Sequence, residues 1–374
     1  MKIESVRASQ LRIPDVSDVF DGTQDVLIVE VQAENGQSGF GEVVSASYVA
    51  KSIIEAPPSG GGRHGLARAI EGMELDNIES LWEAMYRASS WYGRRGAAIH
   101  AMSGIELALW DLMGKIEAKP VYRLIAEVES RPIRAYASAL WADTPEESAV
   151  RAQALIDKGF SAVKLGFGGF ALDEKTDHRM LDAVRNQIGD DVELFVDVGR
   201  RWNLEQAIRG CSAAAGFGVN WIEEPLDPDN LEGYTRLCGL SHVPIAGAET
   251  EETFLQFREW IDAGLDVVQP DLGRCGLLAG IAVSKLSTER GCRCVPHCFG
   301  SGINTTAAIH WMTGVGRDLV EYPMQSNPLC RQLVTGVPQL ESGTVTAPDK
   351  PGLGIDLDRE VLEQFLYEPP LRRS

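Results

Sequence analysis

Seven side chains that can donate a proton, accept one or hold a cation recur at the ends of short apolar runs. Lys164 closes SAVK, Asp197 closes ELFVD, Glu223 closes NWIE and Glu249 closes PIAGAE. Asp271 closes DVVQPD, His297 closes CRCVPH and Glu321 closes DLVE. Asp197, Glu223 and Glu249 follow one another at equal intervals of 26 residues. Three carboxylates brought together in a partly buried site cannot all stay ionised without a cation. Each unpaired buried charge costs several kcal/mol, against about 5–15 kcal/mol for a whole fold. All-oxygen ligation favours Mg²⁺ over Zn²⁺ or Cu²⁺, with Mn²⁺ a fair substitute. Strand side chains alternate, so Glu223 rather than Glu224 is expected to face inward. Glu251 and Glu252 are expected in a first helical turn, where acids are favoured.

His297 pairs naturally with Asp271 from the preceding run. A carboxylate on one ring nitrogen fixes the tautomer and raises the basicity of the other, which suits a general base. The rival is a zinc site built from Cys292, Cys294, Cys298 and His297, but C-x-C inside an apolar strand fits the usual C-x2-C knuckle poorly. Lys164, one run ahead of the carboxylates, is placed to hold an anionic substrate oxygen. Glu321 could share a proton with substrate and act as an electrophile. Together these groups describe one reaction: Mg²⁺ holds a substrate carboxylate, Lys164 and a protonated Glu321 add positive potential, and His297 removes the α-proton. The enediolate is stabilised where its charge develops.

The elements that position these groups follow from the spacing. A period near 26 residues fits one strand, one helix and two loops, hence a repeated βα unit. In a (β/α)8 barrel the C-terminal strand ends converge on one face, where chemistry sits. AYASAL, with no polar residue at its end, supplies an eighth strand. The first helix follows at TPEESAVRAQALIDKG, with Thr144 as N-cap, Pro145 at the first helical position and Glu147 three residues on. Later helices are expected to begin near Asp173, Asn203, Asp229, Thr250, Gly276 and Ile303.

The chain has 374 residues, and a barrel uses about 250. Residues 1–45 alternate apolar and polar, with ENGQ as a hairpin turn. Residues 46–65 read as irregular and end in PPSGGGRHG, a linker or a mobile lid, and 66–116 carry helical periodicity. The expected division is an α+β region over 1–125, the barrel over 126–345, and a segment over 346–374 that returns to the first region. The net charge of −19, from 54 acids and 35 bases, argues against a nucleic-acid partner, since counterion release needs clustered Lys and Arg. The N-terminus lacks an apolar core of signal-peptide length, and no apolar run approaches 18 residues. Seven cysteines without framework spacing suit a reducing cytosol, so a cytoplasmic location is expected.

These segments together resemble the enolase superfamily, specifically its mandelate racemase subgroup, over nearly the whole chain. RRGAAIHAMSGIELALWDLMGK resembles the last helix of that family's cap domain and GFSAVKLGFG its second-strand lysine motif. FVDV, WIEEP and PIAGAE resemble the three ligand strands, VVQPDLGRCG and VPHCFGSG the Asp–His segments, and DKPGLGIDL the C-terminal return. The resemblance implies a modified TIM barrel, (β/α)7β, with an N-terminal α+β capping domain. It implies Mg²⁺ on Asp197, Glu223 and Glu249, with cap loops near 14–24 and 45–64 closing over substrate. Catalytic roles fall to His297, Asp271, Lys164 and Glu321, and a homo-oligomer, dimer or octamer, is expected. Family racemases carry a second lysine where this chain has Gly166, so one-base chemistry remains, as in acid-sugar dehydratases. Gly199 stands where many relatives have Asn, and should alter substrate or neighbouring contacts only. Arg94 and Arg95 either border the site or cap a helix. VPHCFGSGI, SNPLCRQLV and DKPGLGIDL also look like galactarolactone cycloisomerase, which makes lactone cycloisomerisation the runner-up to dehydration. A catalytically silent sugar-acid binding protein is the third reading.

Overall fold

The computed structural model describes residues 1–17 and 24–368, so most of the expected cap loop over 14–24 lies outside the described residues. Strands β1 (Ile3–Arg12), β2 (Asp25–Ala33) and β3 (Ser38–Val43) form an antiparallel sheet in that order. The β2–β3 turn carries Gly36 at φ +84°, a conformation glycine adopts without a Cβ penalty. Helices α1 (Ser47–Glu55), α2 (Leu66–Ile70) and α4 (Ala97–Glu117) pack on this sheet, and α3 (Ile78–Ser89) packs against α2 and α4. Part of the stretch expected to be irregular is therefore helical. Ala50 and Ile54 of α1 are fully buried, and this packing holds a helix that has no side-chain cap. Only the glycine-rich end, a single 3-10 turn at Gly60–Gly62, keeps the expected character. Strand β3 lies hard against α4: a Cβ on Gly41 would fall 2.0 Å from the Gly104 carbonyl oxygen.

After α5 (Val121–Ile125) the chain enters the barrel. Its units are β4 (Ile133–Leu140) and α6 (Pro145–Ile156), β5 (Ala162–Gly166) and α7 (Glu174–Ile188), then β6 (Glu193–Asp197) and α8 (Leu204–Ala215). Next come β7 (Val219–Glu223) and α9 (Leu231–Cys238), then β8 (Ile245–Gly247) and α10 (Phe254–Asp262). The last are β9 (Val267–Val268) and α11 (Leu272–Arg290), β10 (Arg293–Cys294) and α12 (Gly302–Gly314), and finally β11 (Leu319–Pro323). The strands run parallel in the order β10-β9-β8-β7-β6-β5-β4-β11, the modified (β/α)7β barrel. Strands β9 and β10 are short because Pro270 and Pro296 follow them within two residues and have no N–H for the ladder. Among the described residues no ladder joins β10 to β11.

Thr144 caps α6 as expected, accepting from the Glu147 backbone N–H at 3.2 Å. Helix α11 starts at Leu272, earlier than expected, because the Asp271 carboxylate caps it; Gly276, at φ +78°, breaks it internally. Inside the barrel Phe195 and Trp221 stack with centroids 3.5 Å apart, and Tyr136 meets both rings edge-on. This aromatic plug makes the barrel a filled core and floors the site above it.

No long helix follows β11. Short pieces take its place: α13 (Pro328–Arg331), β12 (Val334–Thr335), β13 (Thr344–Val345), β14 (Asp356–Leu357) and α14 (Arg359–Phe365). Strand β13 pairs antiparallel with β4, and β12 with β14. Gly352 accepts from Val121 N–H at 2.9 Å, Leu353 N–H donates to the Asp111 carboxylate of α4 at 2.8 Å, and Tyr367 N–H donates to Gln10 of β1 at 2.8 Å. Among the described residues no helix is long and apolar enough to cross a membrane.

Candidate active site

The seven side chains singled out from the sequence all lie buried at the C-terminal ends of barrel strands. Asp197 and Glu223 end β6 and β7; Lys164 and Glu321 sit within β5 and β11; Glu249, Asp271 and His297 lie two or three residues past their strands. A cavity of about 560 Å³ is lined by Lys164, Asp197, Glu249 and His297, together with Val44 from beyond β3 and Phe167 after β5.

His297 Nδ1 lies 2.6 Å from Asp271 Oδ2. The other Asp271 oxygen accepts from Gly273 N–H at 2.8 Å and from the Asn304 amide at 3.2 Å, so the carboxylate is held on both sides. His297 Nε2 is 3.4 Å from Glu249 Oε2. Burial alone would lower this imidazole. Glu249 and the Asp271 hydrogen bond outweigh it and raise the ring to about 9. Burial likewise works to raise Glu249, but His297, Arg274, Lys164 and Arg200 overcome it and bring the carboxyl down to about 2.

Lys164 forms ion pairs with Glu223 and, at 2.8 Å, with Glu321. Burial opposes its charge, and these two carboxylates restore it, holding the ammonium well above its usual range. Glu223 Oε2 accepts from Trp221 Nε1 at 3.1 Å and from the Gln269 amide at 2.7 Å. Glu321 Oε2 accepts from Cys298 N–H at 2.6 Å, across the seam between β10 and β11. Asp197 has only the Gly199 backbone N–H, at 2.8 Å, as a short-range donor to its Oδ1. Burial, then the Glu223 charge, pushes its carboxyl well above the usual range.

Among the described residues no three acidic, histidine or cysteine side chains close around one point. Lys164 engages Glu223, while His297, Arg200 and Arg274 surround Glu249. The donor set nevertheless fits a hard divalent ion. It is all oxygen, and burial together with the neighbouring Glu223 charge raises Asp197, which leaves that side of the cluster short of positive charge. Cys292, Cys294 and Cys298 form no such group with His297.

Glu223 meets Lys164; Glu224, just past the strand at φ +41°, is buried too, and its Oε2 pairs with Arg200 Nε at 2.6 Å. One expectation needs correction. Glu251 and Glu252 precede α10 rather than opening it, since Thr253 is the cap; Glu252 accepts instead from Gly96 N–H at the start of α4. Gly166 is tightly enclosed: a Cβ there would lie 2.6 Å from Asp197 Oδ2. Gly199, at φ +61°, faces the Phe167 ring. Arg94 and Arg95 are exposed beside the Gly96 cap.

One contributor has no forecast from spacing. Glu42 of β3, 2% exposed, accepts from Ser301 N–H at 2.9 Å, Ser301 Oγ–H at 2.7 Å and Asn304 N–H at 3.2 Å. Since Asn304 in turn donates to Asp271, a carboxylate of the N-terminal sheet braces the helix end behind the Asp–His pair. The signal lay in GFGEV, whose two glycines place β3 against the neighbouring helix.

Residues 9–126 match the model of the mandelate racemase/muconate lactonizing enzyme N-terminal domain, and residues 147–361 that of the enolase C-terminal domain-like family. The chain is 32% identical to the D-galactarolactone cycloisomerase of Agrobacterium fabrum, over 99% of this chain and 100% of that one. It is 28% identical to the arabinonate dehydratase of Saccharolobus solfataricus, over 91% and 90%. Among solved structures, the 3,6-anhydro-D-galactonate cycloisomerase of Zobellia galactanivorans superposes with a TM-score of 0.89 at 29% identity, covering 98% of this chain and 100% of that one.

Proposed function

Because the chain belongs to the mandelate racemase/muconate lactonizing enzyme family of the enolase superfamily, we propose that it is an acid-sugar dehydratase. It takes the α-proton of a polyhydroxy carboxylate, eliminates the β-hydroxyl and yields a 2-keto-3-deoxy acid. The observation that carries this reading is the single base. His297 stands on Asp271 at 2.6 Å, while the position for a second base is Gly166, closed against Asp197. Inversion at the α-carbon needs a base on each face, and elimination needs only one.

We assign Asp197, Glu223 and Glu249 as the residues that hold Mg²⁺. When bound, the ion supplies Lewis-acid stabilisation for the negative charge that develops on the substrate carboxylate. Neutralising Glu249 withdraws the strongest influence that holds a proton on His297, and frees the imidazole to act as a base near neutral pH. Asp271 keeps the ring in one tautomer, with Nε2 toward the cavity. Lys164 and Glu321, ion-paired at 2.8 Å, form the wall that meets the substrate carboxylate. Having taken the α-proton, the imidazolium is the acid that protonates the departing hydroxyl.

A second reading is ring opening of a sugar lactone or anhydro acid, supported by full-length similarity to two proteins named cycloisomerases. It shares α-proton abstraction and differs in its leaving group, a ring oxygen. Proton NMR of the Mg²⁺-containing protein against acid sugars and their lactones separates the two: loss of an open acid marks dehydration, and loss of a lactone with no dehydration of acids marks ring opening. His297→Asn should lower kcat by about 10²–10⁴ while Mg²⁺ titration stays normal. Full activity in that variant removes His297 from the base role.

A further inference from the structure

Seven barrel strands lead into a helix, but the next helix after β11 among the described residues is only the four-residue α13. The place where a covering helix would lie is a groove between α6 and Met324–Ser326. Ser138, Ala139, Leu140 and Phe299 line both this groove and the reaction cavity, so the two spaces adjoin across these residues. The groove is an open hollow of about 920 Å³, against about 560 Å³ for the cavity. Farther out it meets a second hollow that shares Lys158, Met324, Gln325 and Ser326.

The charge of this trench is unlike that of the rest of the molecule. The chain has 54 acids and 35 bases, yet no acid lines either hollow, while Arg151, Lys158 and Arg331 do. Two of these bases are fixed through backbone carbonyls. Arg151 Nη1 donates to Leu140 O at 2.6 Å, and Arg331 donates to Gln325 O and Pro323 O at 2.6 and 2.8 Å. Neither contact neutralises the cation. Among the described residues Lys158 has no ion pair and no side-chain hydrogen bond. Gln325 lines both hollows, and its amide nitrogen and oxygen are buried without a hydrogen-bond partner.

We propose that this trench is a subsite for a second anionic group of the substrate, a carboxylate remote from the one beside the reacting carbon. The inference rests on the acid-sugar reading and narrows it to dicarboxylate sugar acids or their lactones. Lys158 and Arg151 supply the attraction, and the Gln325 amide is the neutral donor beside them. Because both cations are exposed, the attraction should weaken as salt rises.

The test is calorimetric binding of galactarate and galactonate, which differ in a terminal carboxylate against a hydroxymethyl, to the full-length Mg²⁺-containing protein. Galactarate should bind at least about tenfold more tightly at low salt. Lys158→Gln and Arg151→Gln should each weaken galactarate by about three- to tenfold and leave galactonate unchanged. Equal binding of the two acids, binding of neither, or a preference unmoved by both substitutions overturns the subsite. Turnover is followed separately by NMR, with His297→Asn as the blank. Charge-selective binding without turnover defeats the proposed reaction and leaves the subsite standing. Turnover without charge preference does the reverse.

Discussion

Gly166 is the single residue on which the choice of chemistry turns. Its missing side chain is more than a lost lysine, because Asp197 Oδ2 lies only 2.6 Å from where a Cβ would be. Gly166→Ala should therefore displace a carboxylate assigned to Mg²⁺ and weaken metal affinity by about 10–100-fold, with a stability loss of about 1–3 kcal/mol from overpacking. Mg²⁺ titration and a thermal melt read the two effects, and unchanged affinity would show that Asp197 moves aside freely. Gly166→Lys should fare worse, and should not confer racemisation. At this scale the sequence was highly legible: residue type and interval alone brought Lys164, Asp197, Glu223, Glu249, Asp271, His297 and Glu321 to one face. The burial of Glu224 is not legible, because the residue lies just past β7 at a positive φ, where strand alternation no longer applies.

At the scale of elements, two buried carboxylates join the N-terminal sheet and helices to the barrel. Glu42 reaches Ser301 across 259 residues of sequence, a separation that local pattern does not report. Glu42→Ala strands Ser301 and Asn304 donors, at about 1–3 kcal/mol for each buried group left unsatisfied. We expect a lower kcat with little change in KM and a displaced pH–rate profile, with partial recovery in Glu42→Gln, which keeps one acceptor oxygen. A melt-only defect with normal kinetics would confine Glu42 to stability. Glu106 of α4 accepts from Leu278 N–H at 2.7 Å beyond the Gly276 break, and burial raises its carboxyl to about 7. A carboxyl raised in the folded state binds its proton there while the unfolded chain has lost it, so stability falls as pH rises from about 4.5 toward about 7. The shift corresponds to roughly 3 kcal/mol. Glu106→Gln should flatten that slope and raise Tm at pH 8; an unaltered pH dependence would contradict it. The start of α11 is not legible in the sequence, since Gly276 reads as a helix boundary but is a break inside the helix. Helix α1 carries no local signal, because tertiary burial and not a cap holds it.

For the whole molecule, the eight-strand repeat is legible because the strand ends recur at similar intervals, three of them 26 residues and the rest between 22 and 33. The open β10–β11 side and the short elements after β11 were not, since nothing periodic marks them. The C-terminal stretch contributes Leu353, Ile355, Leu357 and Phe365 to the core, each worth about 1.5–3 kcal/mol buried. Together they rival the about 5–15 kcal/mol that holds a fold. A chain ending at Val345 should lose its cooperative melt by circular dichroism, and a sharp transition near the full-length Tm would refute this. The brace from Glu42 has a wider consequence. A lid that only closed over its guest could drift freely in search of new guests, but this sheet also steadies the Asp271–His297 pair that we assign as the base. Diversification of such a catalyst is thereby steered toward its outer loops, because any remodelling of β3 would disturb appetite and chemistry together.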